Sequence, residues 1–310
     1  MFKSAISSFC VTALVGLFGF TFDCEEPQQA TLSSEAPLKK VFVVAHRGDE
    51  QVYPENSMDA FLGGSKAGAD FVEMDVRRTR DGSFVIHHDE NTGRSVHCPQ
   101  GEVAIATTTF SYLRNECRYL NLPVDRGMVL TLAETLSLMR WTRTGLVLDV
   151  KPVIKEHEIL EFAEELLRLD PQGHCARGID LGGTFNCFSN LIIYVNDLNA
   201  HNKLWRVAKG LQPADPRFRV LSAMKYLKIT YEAKTALAAP EAWLDNDGLA
   251  FNLMASSVED IQRMRALYPH KIFAVWTLSQ ASEFALAKSL NMDGIITSLL
   301  HDYIKYEKTK

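Results

Sequence analysis

The residues best suited to chemistry in this sequence are charged or imidazole side chains that stand where short apolar runs end. Four such runs, rich in β-branched residues, each carry at least one of them. These side chains are His46 and Arg47, Glu73 and Asp75, His88, and Asp149 with Lys151. If the runs are parallel strands of one barrel, their carboxyl ends form a single rim, where barrel enzymes place their active sites. The sequence therefore predicts one site that combines acids, bases and cations.

The spacing of the acidic residues indicates a metal site. Side chains alternate along a strand, so Glu73 and Asp75 point the same way, and Asp149 belongs to another strand of the same sheet. Crowded carboxylates repel one another unless a cation lies between them, and hard oxygen ligands suit Mg²⁺ or Ca²⁺. The histidine and cysteine set of a zinc site is not evident. The alternative is a structural ion-pair network, for example of Glu73 and Asp75 with Arg77 or Arg78.

Alternation of strands and helices predicts the fold class. Seven apolar runs have the pattern of strands buried on both faces: 41–45, 71–76, 84–87, 146–150, 191–195, 271–276 and 294–297. Helical segments lie between several of them, including 57–67 and 279–290. A parallel α/β architecture follows, and both a barrel and an open doubly wound sheet fit it. The irregular regions 99–127 and 171–216 are predicted to be insertions.

Length, composition and charge narrow the class of protein. The 310 residues suit one large α/β domain or two ordinary ones, and 46% hydrophobic residues can build a sizeable core. The formal net charge is -5, with 38 acidic against 33 basic residues. The overall charge therefore gives no reason to expect nucleic acid as a partner.

The N-terminal residues are predicted to be a targeting segment. Lys3 precedes an apolar stretch over 9–22, shorter than the roughly 20 residues of a spanning helix. We divide the chain into a signal-like segment (1–24), a linker (25–40) and an α/β barrel-type domain (41–310). The expected location is outside the cytoplasm, secreted or periplasmic, and the alternative is a membrane anchor formed by the uncleaved segment.

The cysteines agree with export. Cys98 and Cys117 flank one loop-like segment, and Cys175 and Cys187 flank another. In an oxidising compartment both pairs can form disulfides, but the sequence leaves their connectivity open, and buried free thiols are the alternative.

An ordered set of motifs resembles the glycerophosphodiester phosphodiesterase family. The similarity is dense over 41–94, thin in the middle of the chain, and returns after Ser256. The motifs are His46-Arg47-Gly48, Pro54-Glu55-Asn56-Ser57, Glu73-Met74-Asp75-Val76, Thr79-Arg80-Asp81-Gly82 and His88-Asp89, then 146–151, Trp276-Thr277 and 293–297. Each motif is short, but their order along the chain is specific.

The resemblance implies a TIM-type (β/α)8 barrel with loop insertions, one divalent cation (Mg²⁺ or Ca²⁺) and two catalytic histidines. It assigns Glu73, Asp75 and Asp149 to the metal, His46 and His88 to acid–base catalysis, and Arg47, Glu55, Lys151 and Trp276 to the substrate. Three positions depart from the family pattern: Asp149 replaces the usual Glu, Ser57 the usual Thr and Ser298 the usual Asp.

These observations lead to the hypothesis of a metal-dependent hydrolase that converts glycerophosphodiesters to glycerol phosphate and an alcohol. Histidine suits the proton transfers because its unperturbed pKa, about 6.5, lies near neutrality. One alternative is a sphingomyelinase-D/lysophospholipase-D-like lipid phosphodiesterase, which Asp149 favours. Another is a non-catalytic secreted binding protein on the same barrel. The expected partner is a small-molecule or lipid phosphodiester, with a membrane surface as a further contact.

Overall fold

The computed structural model describes residues 41–139, 142, 144–151, 156–169, 191–195, 207 and 210–309. All of them belong to the second of two units into which the chain divides, residues 1–38 and residues 39–310. The signal-like segment, the linker, the pair Cys175 and Cys187, and most of region 171–216 lie outside the described residues, so these predictions stay predictions.

Eight parallel strands close into a barrel. The strands of the described chain are β1 Phe42–Ala45, β2 Phe71–Arg78, β3 Phe84–Ile86, β4 Val96–His97, β5 Arg118–Tyr119, β6 Gly145–Val150, β7 Leu191–Val195, β8 Lys225–Thr230, β9 Gly248–Asn252, β10 Ile272–Leu278 and β11 Gly294–Thr297. The barrel follows the order β1-β2-β6-β7-β8-β9-β10-β11, and β11 pairs with β1 to close it. The prediction of a barrel is confirmed, and the open doubly wound sheet is excluded.

The barrel strands contribute to two hydrophobic cores, as their continuous apolar runs predict. Inward side chains form one buried cluster of Val44, Val147, Ile192, Tyr194, Leu227, Ala250, Ala274 and Ile296. Neighbouring positions such as Val43, Leu148 and Ile295 belong to a second cluster, shared with the helices. Because both faces of each strand are buried, polar side chains have room mainly where the strands end.

The helices of the described chain are α1 Met58–Ala67, α2 Phe110–Glu116, α3 Leu132–Met139, α4 Glu156–Leu169, α5 Pro216–Ala223, α6 Ala233–Ala238, α7 Val258–Leu267, α8 Ala281–Ser289 and α9 Leu300–Lys308. All of them except α2 contribute side chains to the core that they share with the barrel strands. In α1 the Ser57 hydroxyl accepts from the Ala60 N–H, and Gly68, at φ 102°, ends the helix. Across the described ranges, no helix has the length and apolar character needed to span a bilayer.

One expected strand of the parallel sheet is instead half of a hairpin. The run 84–87 forms β3, which pairs antiparallel with the last three residues of β2. The chain turns at Gly82, whose φ is 88°, and the N–H of His87 then donates to the carbonyl of Asp75 at 3.0 Å. The hairpin therefore returns His88 to the level of the Asp75 side chain, although β3 is not a barrel strand.

The insertion at 99–127 is more regular than the sequence indicates. It contains α2 and a 3-10 turn, Ile105–Thr107, and β4 pairs with β5 across it. A disulfide joins Cys98 and Cys117, so this pairing, left open by the sequence, is formed. The two sulfur-bearing side chains belong to a small separate core with Val85, Val96, Ile105, Leu113, Tyr119 and Val129. The insertion thus has its own packing, on the side of the barrel that carries His88.

Candidate active site

A cavity opens where the barrel strands end. Its volume is about 210 Å³, which is roughly seven times the share of one water in the liquid, about 30 Å³. Its wall consists of His46, Arg47, Glu73, Asp75, His88, Asp149, Lys151, Tyr194, Ile229, Trp276, Thr277 and Ile296. The structure therefore brings all of the predicted site residues except Glu55 to one cavity of a size suited to a small polar ligand.

Three buried carboxylates converge in the cavity wall. One oxygen each of Glu73, Asp75 and Asp149 lies within 4.8 Å of the other two, and all three side chains are buried. Ligand oxygens lie about 2.3–2.6 Å from Ca²⁺, so oxygens of different ligands stand at most roughly twice that distance apart. The predicted convergence is confirmed, and this set of hard oxygen donors fits one divalent cation such as Mg²⁺ or Ca²⁺.

Strand register and two neighbours hold two of these carboxylates in place. Asp75 on β2 is the direct register partner of Asp149 on β6. Nζ of Lys151 bridges them, 2.6 Å from Asp75 Oδ1 and 2.7 Å from Asp149 Oδ2. The Asn56 amide donates to Asp75 Oδ2 at 2.7 Å, and its Oδ1 accepts from the Asp75 N–H at 3.1 Å. The asparagine of the Pro-Glu-Asn-Ser motif therefore orients a candidate metal ligand.

A tight turn after β1 positions the third carboxylate. Arg47 and Gly48 have φ values of 51° and 86°, and a Cβ on Gly48 would lie 2.6 Å from the backbone of Ala60. The turn lets the Arg47 N–H donate to Glu73 Oε2 at 2.7 Å. Nε of the same arginine lies 3.5 Å from Asp75 Oδ2. The glycine of the His-Arg-Gly motif is thus required for the geometry around the carboxylates.

The alternative ion pairs of Glu73 and Asp75 with Arg77 or Arg78 do not form among the described residues. Nε of Arg77 donates to the carbonyl of His88 at 2.9 Å, and Arg78 pairs with two glutamates of α4. Lys151 and Arg47 supply positive charge instead. Two cations against three carboxylates leave net negative charge, which a divalent ion would offset.

The Glu73 carboxyl group shows the effect of this uncompensated charge. Its burial, and then the negative charges of Asp75 and Asp149, raise its pKa well above the usual value. Lys151 and the Arg47 N–H act in the opposite direction without cancelling these effects. A proton therefore competes with a metal ion for this carboxyl group.

Uptake of Mg²⁺ or Ca²⁺ is expected to release protons, and the apparent affinity for the ion should rise with pH. The reason is that the ion binds the ionised form of Glu73, whose raised pKa favours the protonated form in the ion-free protein. Calorimetry in two buffers of different ionisation enthalpy measures the protons released, and Glu73→Gln should release fewer. Ion binding that is independent of pH would contradict this account.

His46 is held by the carboxylate of Glu50, a residue that is not among the predicted site residues. Its Nδ1 lies 2.5 Å from Glu50 Oε1 and 3.3 Å from Ser298 Oγ, and the serine hydroxyl also donates to Glu50. Burial alone would raise the pKa of Glu50, but the hydrogen bonds and charge of these neighbours lower it below the usual value. The ionised carboxylate only accepts hydrogen bonds, so Nδ1 carries a proton and Nε2 remains for chemistry. The family usually has an Asp at the position of Ser298, and in this chain Glu50 supplies a carboxylate beside that position instead.

Replacing Glu50 by glutamine is expected to lower kcat about tenfold to a hundredfold with little change in KM. A hydrogen bond to a charged group is worth about 1.5–3 kcal/mol, and about 1.36 kcal/mol corresponds to a factor of ten in rate. The double variant Glu50→Gln/Ser298→Asp restores a carboxylate beside Nδ1 and should recover much of the loss. Steady-state kinetics decide the point, and wild-type kcat in Glu50→Gln would exclude an orienting role.

His88 is oriented by a chain of ion pairs. Its Nδ1 lies 2.6 Å from Asp89 Oδ1, and Nε of Arg94 donates to Asp89 Oδ2 at 2.6 Å. Arg94 also donates to both oxygens of Glu55, at 2.7 and 2.5 Å, and Glu55 accepts from Arg47 at 3.0 Å. Burial opposes ionisation of Asp89, but the hydrogen bonds from Arg94 and His88 outweigh it and lower its pKa to about 2. Both histidines therefore present Nδ1 to a carboxylate.

Glu55 and Trp276 are both predicted to bind substrate, but only Trp276 lies in the cavity wall. Glu55 is absent from the cavity wall and binds both Arg47 and Arg94, so its contact with substrate stays a prediction. Trp276 does line the cavity, and its ring centroid lies 6.2 Å from that of Tyr231, a largely exposed residue.

Several functional neighbours carried no assigned role in the sequence. They are Glu50, Asn56, Asp89, Arg94 and Tyr194. Asn56 and Asp89 lie inside the recognised motifs, so the sequence provides a reason to consider them as site residues. Arg94 has no local signature because its partners Asp89 and Glu55 are brought close only by the fold. Tyr194 has none because it reaches the cavity wall only through the pairing of β7 with β6.

The fold and the cavity together define a TIM-type barrel with an acidic site flanked by histidines at its rim. Residues 46–177 match the model of the Glycerophosphoryl diester phosphodiesterase family. This part of the chain, which contains most of the site, is similar to the glycerophosphodiester phosphodiesterase family, as its motifs predict.

Curated relatives agree over short stretches. A glycerophosphodiester phosphodiesterase of Caldanaerobacter subterraneus is 45% identical over 58 residues, 19% of this chain and 24% of the relative. A probable glycerophosphodiester phosphodiesterase 1 of Mycobacterium tuberculosis is 44% identical over 84 residues, 27% of this chain and 30% of the relative. The chain thus matches less than a third of the length of these relatives.

Solved structures show the same fold over most of the chain. An Oleispira antarctica phosphodiesterase, in complex with the product sn-glycerol-3-phosphate, superposes with a TM-score of 0.63 at 20% identity, over 86% of this chain and 95% of that one. A putative glycerophosphodiester phosphodiesterase from Galdieria sulphuraria gives 0.65 at 14% identity, over 88% and 100%. These similarities establish the barrel.

Proposed function

We propose that this chain is a metal-dependent phosphoric diester hydrolase that cleaves glycerophosphodiesters to glycerol phosphate and an alcohol. The observation that carries the proposal is a single cavity lined by a buried trio of carboxylates and by two histidines, each bound to a carboxylate. The family match of residues 46–177 supports the substrate class. A non-catalytic binding barrel would have no need for two separately oriented imidazoles.

The charged groups divide the work of binding. Glu73, Asp75 and Asp149 would hold the divalent cation, which when bound stabilises negative charge on the phosphate. Arg47 lines the cavity and adds positive charge there. Lys151 lies against two carboxylates, so its first role in the proposal is to keep them close together, and its contact with phosphate is secondary.

His46 and His88 perform the proton transfers in this proposal. Glu50 and Asp89 hold Nδ1 of the two rings, which leaves Nε2 of one ring to take a proton from the nucleophile. The nucleophile is either water or a substrate hydroxyl that first forms a cyclic phosphate, which water then opens. Nε2 of the other ring, in its protonated form, gives a proton to the departing alcohol oxygen. The two carboxylates stabilise the positive ring that each transfer requires.

A lipid phosphodiester of the sphingomyelinase-D or lysophospholipase-D type is the second candidate substrate. Two observations favour it: Asp149 stands where the family has Glu, and exposed apolar side chains flank the rim. Tyr231 and Met254, which follow β8 and β9, are 64% and 66% exposed, and the Tyr231 ring lies tilted beside that of Trp276 in the cavity wall. Such a rim suits contact with a lipid surface.

A substrate comparison tests the proposal. The purified chain, supplied with Mg²⁺ or Ca²⁺, is assayed on glycerophosphocholine, lysophosphatidylcholine and sphingomyelin. We expect the highest kcat/KM on glycerophosphocholine, because the cavity is small and polar at its centre. Preference for either lipid would move the function to the second candidate, and binding without turnover would favour the non-catalytic barrel.

Export is also a proposal. The signal-like segment 1–24 supports it, and so does the disulfide between Cys98 and Cys117, because such bonds persist in oxidising compartments. Expression of the full chain, followed by N-terminal sequencing of the product, is expected to show removal of the segment near residue 24. A full-length product in the cytoplasm would contradict export, and a full-length product in the membrane would favour the anchor.

A further inference from the structure

Tyr194 presents a buried hydroxyl group to the candidate site without a hydrogen-bond partner among the described residues. It lies on β7 as the direct register partner of Asp149 on β6. Its side chain is only 3% exposed, faces the barrel interior and lines the cavity. A buried hydroxyl that makes no hydrogen bond is costly, and native proteins keep few of them. The cost indicates that something else supplies the partner.

The surroundings show which kind of partner is missing. A tyrosine hydroxyl is ordinarily protonated near neutral pH and acts as an O–H donor. No acceptor for it lies within hydrogen-bond distance among the described residues. A second donor in the same wall, Nε1 of Trp276, is also buried without a partner among the described residues. Two unsatisfied donors around one cavity fit a ligand that brings acceptor oxygens.

We propose that Tyr194 is a substrate-binding residue whose hydroxyl donates a hydrogen bond to a non-bridging oxygen of the bound phosphate group. The inference rests on the proposed function, since it places a phosphodiester in this cavity. Lys151 lies against Asp75 and Asp149, so neutral donors are needed to complete the phosphate site. Tyr194 is suited to that task because it adds no charge to a wall already crowded with ions.

The test is Tyr194→Phe, which removes one oxygen atom and keeps the ring. With the full chain at saturating Mg²⁺ or Ca²⁺, calorimetry with inorganic phosphate and with sn-glycerol 3-phosphate should show Kd raised about tenfold to a hundredfold. Affinity for the metal ion alone should be unchanged. The melting temperature of the ligand-free variant should equal or exceed that of the wild type, because an unsatisfied buried hydroxyl has been removed.

Tyr226→Phe is the matched control. Tyr226 lies on the adjacent strand β8 and is equally buried, but its hydroxyl already donates to the Leu221 carbonyl. Its replacement should lower the melting temperature and leave phosphate affinity unchanged. The two variants therefore separate a structural hydroxyl from a ligand-binding one.

Three outcomes would overturn the inference. If Tyr194→Phe binds phosphate as tightly as the wild type, and the wild-type chain hydrolyses its substrate, Tyr194 is not part of the phosphate site. A loss of metal affinity with unchanged phosphate affinity assigns the hydroxyl to the metal site instead. A wild-type chain that neither binds phosphate nor hydrolyses phosphodiesters rejects the proposed function and this inference with it.

Discussion

Alanine in place of either His46 or His88 is expected to lower kcat by about 10²–10⁴-fold, the usual contribution of a general acid or base. Both rings line the cavity, and each has Nδ1 on a carboxylate, so Nε2 is the atom available for proton transfer. Binding of phosphate and of the metal ion should change little. Steady-state kinetics on a glycerophosphodiester, with calorimetry for the ion, measure both effects.

Two other histidines serve as controls. His87 is adjacent to His88 but buried away from the cavity, with Nδ1 3.0 Å from the Asp89 carbonyl. Its replacement by alanine should lower the melting temperature and have a smaller effect on the turnover rate. His270 is exposed just before β10, at the opposite end of the barrel, and its replacement should change neither. Normal turnover in His46→Ala or His88→Ala removes that residue from the mechanism.

Loss of the metal ligands should be comparably severe. Glu73→Gln and Asp149→Asn are each expected to weaken binding of the divalent ion at least about a hundredfold, and to lower turnover by about 10²–10³-fold. The estimate follows from the several kcal/mol that a metal contributes to stabilising charge in the transition state. Calorimetry measures ion binding. Turnover is measured separately, at fixed concentrations of Mg²⁺ or Ca²⁺.

The same variants report on the repulsion among the carboxylates. Because burial and like charges raise the pKa of Glu73, the ion-free Glu73→Gln protein should melt at the same or a higher temperature than the wild type. Glu259→Gln, an exposed change on α7, is the control and should leave ion binding and turnover intact. Wild-type ion affinity in Glu73→Gln would exclude that carboxylate as a ligand.

The barrel was predictable because parallel strands buried on both faces leave continuous apolar runs. β8 and β9 escaped this criterion for local reasons. β8 contains two lysines, Lys225 and Lys228, that interrupt its apolar residues. β9 begins at Gly248, where a Cβ would lie 1.9 Å from the Ile272 carbonyl oxygen. A glycine needed for close strand contact is easily mistaken for a turn signal.

The candidate site was predictable where function depends on residue type and strand parity. Glu73 and Asp75 share parity on one strand, and their convergence with Asp149 follows from strand register. His88 reaches the cavity through the hairpin of β2 and β3, which the alternation of side chains along a strand does not reveal. Partners such as Glu50 and Arg94 depend on where loops fold back, and no local pattern encodes that.

The most direct measurement is ³¹P NMR of glycerophosphocholine incubated with the purified chain. With Mg²⁺ or Ca²⁺ present, the account predicts loss of the diester resonance, growth of the glycerol phosphate monoester resonance and release of choline. A chelator should stop the conversion, and added metal should restore it. A diester resonance that persists with metal, or one that is lost equally fast in chelator, would contradict the account.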